Sequence, residues 1–196
     1  MSLLLARIIS IALNPLAVIV FLPFFIVYRS THDFSTAVYW TLYTLVFLLA
    51  LALFVVLSVK KGKFTDFDVS KREQRPALFH IAIVLGALYL VGLFLFRAPF
   101  ILAFITCGVI LGTFLISMVN KRVKASVHVA TVAALLIAVA IVYGGQSLWL
   151  LLIVPLVAWA RVTAKRHTPA EAFTGGLLGS LLSLALYMGV KLFLHK

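Results

Sequence analysis

The chain is dominated by apolar runs, each about as long as a bilayer is thick, separated by connections of a few polar residues. Seven such runs lie near 3–28, 36–59, 77–96, 99–119, 126–143, 146–163 and 169–193. A helix of about 20 apolar residues crosses the hydrocarbon core, where a helix satisfies its own backbone N–H and C=O groups. The pattern therefore predicts an all-α polytopic membrane protein with about seven transmembrane helices. A water-soluble domain carries about one charged residue in four. Here 64% of the 196 residues are hydrophobic and 11% are charged.

The sixth run has the shortest apolar core, Leu148 to Ala160, and is expected to continue as helix through Arg161. The first run carries Arg7, is too long for a signal peptide and has no small-residue cleavage site after Phe25, so it reads as a retained span. Pro15 and Pro23 are expected to kink it, unless neighbours re-satisfy the freed carbonyls. The reading is of one membrane-embedded domain, 1–196, with an N-terminal helical pair (1–59) and a core (60–193). The lone Cys107 excludes a disulfide framework and a thiolate metal cluster.

Seventeen basic residues against five acidic ones give +12, and the basic ones sit in short loops. No basic segment is attached to a polar domain, which argues against nucleic acid as a partner. With seven spans, the N-terminus and the loops 60–75, 120–125 and 161–168 share one side. That side holds 13 Lys and Arg, counting Arg7; the other holds four, Arg29, Arg97, Lys191 and Lys196. The positive-inside bias puts the basic loops in the cytoplasm, and setting aside Arg75, Lys124 and Arg161 leaves the sign of the bias unchanged.

Chemistry on such a chain belongs in those loops, because the spans carry almost no ionisable groups. The first cluster runs from Asp66 through Asp68, Lys71, Arg72 and Glu73 to Arg75-Pro76. The second is Lys121 to His128, and the third Arg161 to Glu171. Each ends where a span begins: Pro76 suits a first helical turn, Ser126 is a cap for the fifth span, and Thr168-Pro169 opens the seventh. Helix N-termini favour anions, and Arg75, Arg161 and Lys124 add full charges suited to phosphate oxygens. The pattern thus predicts that the amino ends of spans three, five and seven enclose one phosphate group. His128 and His167 would permit nucleophilic attack by one ring and proton donation by the other. Glu171, four residues after His167, is spaced to hold the attacking imidazole in one tautomer.

Arg161-x5-His167-x3-Glu171 resembles the third signature of the type 2 phosphatidic acid phosphatases, Arg-x5-His-x3-Asp, with Glu for Asp. Ala125-Ser126-Val127-His128 resembles the second, Pro-Ser-Gly-His, and Arg75-Pro76 the end of the first, Lys-x6-Arg-Pro. Where the family has that Lys, this chain has Asp68; Lys71 or Lys124 would have to supply the charge from another position. The segment Ala172 to Gly179 also looks like the family's final helix. The resemblance covers about Arg75 to Gly179, with all three signatures in order. It implies a bundle shared with the vanadium haloperoxidases and metal-independent hydrolysis of a lipid phosphate ester, with no cofactor. By that analogy His167 is the nucleophile that forms a phosphohistidine, Glu171 orients it, and His128 is the general acid. Arg75, Arg161 and Ser126 would hold the phosphoryl oxygens, with Lys124 and Lys71 nearby.

Plainer readings stand beside these. Thr168-x2-Glu171 fits a capping box, a use of Glu171 that competes with orienting a histidine. Basic loops attract anionic headgroups whatever else they do, which accounts for Lys60, Lys61, Lys63, Lys121 and Arg122. Asp66-x-Asp68 invites a magnesium site, but a prenyltransferase-like enzyme needs a second acidic cluster on the same side, and Asp33 is on the other. His80 either lines the same cavity or bonds a neighbouring helix; His32 and His195 fall on the opposite face. Trp40, Trp149 and Trp159 read as interfacial anchors, and Gly175-x3-Gly179 as a close helix contact, within the chain rather than between copies. The expected function is hydrolysis of a phosphomonoester or diphosphate on a bilayer lipid. The alternative is a catalytically inactive relative acting as a subunit or lipid-binding scaffold, favoured by the departures at Asp68, Ala125, Val127 and Glu171. A transporter lacks the charges within its spans that mark an ion path.

Overall fold

The computed structural model describes residues 2–194, so His195 and Lys196 lie outside it. Every regular element among the described residues is helical. In chain order they are α1 (Ser2–Ala12), α2 (Pro15–Thr31), α3 (Phe34–Lys60), α4 (Arg75–Leu95), α5 (Phe100–Asn120), α6 (Val127–Tyr143), α7 (Ile153–Thr163) and α8 (Pro169–Leu194). Short 3-10 segments, Arg72–Gln74 and Gly145–Leu152, lead into α4 and α7. Five stretches are long and apolar enough to cross a membrane, and α1 with α2, taken together as one interrupted span, would make a sixth. The fifth expected span is represented by α6, an apolar helix of 17 residues.

Local chemistry accounts for the helix ends. Asp33 caps α3, its carboxylate accepting the N–H of Ser35 and of Thr36. Pro76 lies in the first turn of α4, where its missing N–H removes only a donor that would have no partner in the helix. Ser126 caps α6 by accepting from Val129 N–H. The expected kink in the first run takes the form of a full break at Leu13-Asn14, just before Pro15, whereas Pro23 is accommodated inside α2. The sixth run starts as 3-10 helix and becomes α-helical only at Ile153, continuing past Arg161.

The chain divides into two compact units, cut after Pro15 and after Asn120. One unit comprises 16–120. Its core gathers Val27, Ala37, Trp40, Tyr89, Leu93, Leu102 and Ala103 from α2 to α5. Trp40 is 4% exposed and packs in this core, rather than anchoring at an interface as its sequence position implied. Leu42, Val46, Leu49, Leu53 and Leu57 form an exposed apolar stripe along α3, the surface expected of a helix whose solvent is lipid.

The other unit comprises 1–15 and 121–196, and holds α1, α6, α7 and α8. Here α8 packs along α6, and α1 against α7. Gly175 and Gly179 make the first contact possible. A Cβ on Gly175 would meet the Ser126 carbonyl oxygen, and one on Gly179 the Ala130 carbonyl oxygen. The two glycines therefore serve packing within the chain, backbone against backbone.

Candidate functional site

In the unit formed by 1–15 and 121–196, the second and third clusters are joined by specific bonds. The α7 C-terminus is a Schellman turn. Arg166 N–H donates to Arg161 O at 3.1 Å and Lys165 N–H to Val162 O at 2.9 Å, with Lys165 in the left-handed region at φ 56°. The His167 N–H also points to Arg161 O, at 3.3 Å. This turn is the physical content of the five-residue spacing, since it folds the chain back so that one carbonyl fixes both the arginine and the histidine that follows. Arg161 is 2% exposed; its Nε is buried without a hydrogen bond, while other parts of the residue are engaged.

His167 leads directly into α8. Its Nδ1 lies 3.0 Å from Glu171 Oε2, and its side chain is 1% exposed. The same Oε2 accepts Thr168 N–H at 3.1 Å, and Thr168 Oγ1 accepts Glu171 N–H at 3.2 Å. The capping box and the orienting contact therefore coexist, because a carboxylate oxygen has two lone pairs. A carboxylate beside Nδ1 keeps the proton there and leaves Nε2 as the basic, nucleophilic nitrogen.

The entry to α6 is tied to the same place. Ser126 N–H donates to Glu171 O at 3.0 Å, and Lys124 Nζ to Arg166 O at 2.7 Å. Ser126 is fully buried, and His128, in the first turn of α6, is 7% exposed. Ser126 thus spends its N–H on α8 and its oxygen on the helix cap, which leaves the hydroxyl proton as the donor it can offer. Lys124 likewise serves as a strap across the α7–α8 turn. His128 has a partner that sequence reasoning missed. Asn14 Nδ2 stands 3.5 Å from His128 Nε2, across 114 positions of sequence. The available signal was an amide side chain inside an apolar run, directly before Pro15.

The residues of the first cluster belong to the other unit. Arg75 is 4% exposed and works inside that unit. Its Nε donates to Val69 O at 3.1 Å and its Nη1 faces Asn120 Oδ1 at 3.5 Å, while Asn120 Nδ2 donates to Arg72 O. Asp66 organises the preceding loop, Oδ1 accepting from Asp68 N–H, Ser70 N–H and Ser70 Oγ–H. Val69 is held at φ 48° within this loop, a strained value for a β-branched residue. Lys71 and His80 are exposed, and Asp68 is half-buried. Among the described residues no three His, Cys, Asp or Glu side chains group to hold a metal, and Asp66 Oδ1 is engaged in holding this loop.

The arrangement of α6, α7 and α8 supplies a carboxylate-oriented imidazole, a second buried imidazole and a buried guanidinium on mutually fixed helix ends. Those groups are the ones needed to attack, protonate and charge-stabilise an ester centre. No family model, curated protein or solved structure matches the chain.

Proposed function

We propose that the protein is a multi-pass membrane phosphatase acting on a lipid phosphomonoester or diphosphate, with the type 2 phosphatidic acid phosphatase helical arrangement and its basic loops and N-terminus in the cytoplasm. The observation that carries this reading is the buried His167–Glu171 pair, 3.0 Å apart, held one turn from the buried Arg161 by the Schellman turn. Nε2 of His167 attacks phosphorus, forming an N–P bond as the P–O bond to the lipid breaks. His128 transfers its proton to the departing lipid oxygen. Water then attacks the phosphohistidine, giving its proton to His128 and releasing inorganic phosphate. Arg161 balances charge on the phosphoryl oxygens throughout, and Glu171 holds the His167 tautomer. The lipid tail stays in the bilayer, which explains why such chemistry sits at the ends of membrane-crossing helices.

The test is phosphate release by purified protein from phosphatidate, phosphatidylglycerol phosphate and a prenyl diphosphate, with a chelator present. Wild type should release phosphate from at least one of them and His167→Ala from none. If the two are indistinguishable across the panel, the phosphatase reading is wrong.

The second reading, a non-catalytic scaffold, is favoured by one feature. Three groups that would hold phosphate already have internal bonds: Ser126 N–H, Lys124 Nζ and the Arg75 guanidinium. Vanadate separates the readings, since a phosphatase site should bind this phosphate mimic and raise the thermal midpoint, and His167→Ala should abolish the rise.

A further inference from the structure

Asn14 lies at the one place where the first apolar run stops being helical. Its backbone is settled locally: Leu13 N–H donates to Ile9 O at 2.9 Å and Asn14 N–H to Ile11 O at 3.2 Å. Its side chain is a different matter, because an amide in apolar surroundings costs a few kcal/mol, roughly 2–7, unless it is hydrogen-bonded. The buried positions of α1 are Ala6 and Ser10, four residues apart. Continuing that stripe by four residues reaches Asn14, so the face that packs in this unit ends in a carboxamide. The break at Leu13-Asn14 stops the helix at that point, and the amide nitrogen stands at His128 Nε2.

We propose that Asn14 is the positioning residue for His128, holding the imidazole in place in both its neutral and its protonated form. A carboxamide is suited to this and a carboxylate is not. Its NH2 donates to an unprotonated Nε2, and after a 180° flip its oxygen accepts from a protonated one. A group that must give up and regain a proton in each cycle needs a partner indifferent to its charge. The 3.5 Å separation is at the outer limit of hydrogen bonding, a contact that can tighten when substrate is bound. The acid–base use of this contact rests on the phosphatase reading; control of the ring's tautomer does not.

The elements packed against α6 bring few other titratable groups. The Gly145–Leu152 segment has none, α7 has Arg161, and α8 has Glu171, Tyr187 and Lys191, with His167 just before it. Glu171 is committed to His167 and Thr168. None of these groups changes in the variants below, so a change at the His128 ring reports on Asn14.

The experiment uses the full chain in detergent, labelled with 15N-histidine, the His128 ring signals being assigned by their loss in His128→Gln. At a pH where the wild-type ring is neutral, it should be the tautomer with Nδ1 protonated and Nε2 bare. Asn14→Asp, nearly isosteric and able only to accept, should convert it to the doubly protonated form at the same pH. Asn14→Leu should release it to the Nε2–H tautomer. His128 spectra unchanged in both variants would overturn the proposal, reducing Asn14 to a residue that closes a helix break. If Asn14→Leu does not fold, Asn14→Asp decides the matter alone. On any lipid the wild type cleaves, Asn14→Leu should lower kcat about 10- to 100-fold with KM within about twofold. A raised KM with unchanged kcat would make Asn14 a substrate contact and overturn the positioning role. If wild type cleaves no lipid, the phosphatase reading fails, and the ring spectra still decide the role of Asn14.

Discussion

Substituting alanine for Gly179 adds one methyl group to the face of α8 that lies on α6. That methyl would stand 2.8 Å from the carbonyl carbon of Ala130 and closer still to its oxygen. An ordinary contact begins near 3.4 Å, so the carbon alone demands a retreat of 3.4 − 2.8 = 0.6 Å, and the oxygen demands more. The obstacle is helix backbone, so α8 itself must back away by about 1 Å. A gap of that order forfeits about a quarter to a half of each dispersion contact along the interface, where Val129, Ala130, Val132 and Ala133 are buried. The overpacking cost is about 1–3 kcal/mol, against which alanine regains about 1 kcal/mol of helix propensity. The net expectation is a loss of about 0–2 kcal/mol, centred near 1. Gly189 is the internal control: it lies in the same helix, and a Cβ there meets nothing within 4 Å. Gly189→Ala should therefore be neutral or stabilising by up to about 1 kcal/mol. Reversible unfolding in mixed micelles, read by tryptophan fluorescence, measures both variants. Equal stability of the two would show that α8 does not lie against the α6 backbone, and the geometry of His167, Glu171 and Ser126 would lose its support.

Glu171→Gln keeps an acceptor for the helix cap but no longer fixes the His167 tautomer; lipid phosphate release should fall by about 10²- to 10⁴-fold while stability changes by about 1 kcal/mol or less. Comparable losses of activity and of folded protein would instead mark Glu171 as a cap alone. Arg75→Met removes donors from Val69 O and Asn120 Oδ1 and should destabilise the protein by about 2 kcal/mol. In a double-mutant cycle with Asn120→Leu the two should couple by at least about 0.5 kcal/mol, and strict additivity would rule out the shared network. Thr36, through its side chain and then its N–H, with Ser35 N–H adding to it, holds the Asp33 carboxyl below its ordinary value. A depressed folded-state value means that the cap's stabilisation is present above the unfolded pKa, about 3.9, and lost as pH falls through the lower folded value. Wild type should therefore be more stable than Asp33→Asn at pH 6 and lose that margin in acid, and a margin independent of pH would count against the charged cap.

Much of this architecture was legible in the sequence because it is local. Apolar run length determined that the chain is helical and suited to a membrane. Pro76, Ser126 and the Thr168–Glu171 box marked three helix starts, because capping is settled within four residues. The Arg161–His167 spacing reflected a turn that closes on itself. What the sequence did not disclose was assembly. Residues 1–15 join 121–196, Asn14 reaches His128, Trp40 packs in a core, and Arg75 holds the loop beneath its own helix. The reason is physical. In a soluble helix, polar and apolar faces separate outside from inside, and the sequence carries that contrast. In lipid, the face toward solvent and the face toward protein are both apolar, so periodicity no longer says which side packs. Only the close approach of backbones at Gly175 and Gly179, and the few polar side chains that must find one another, decide which helices become neighbours.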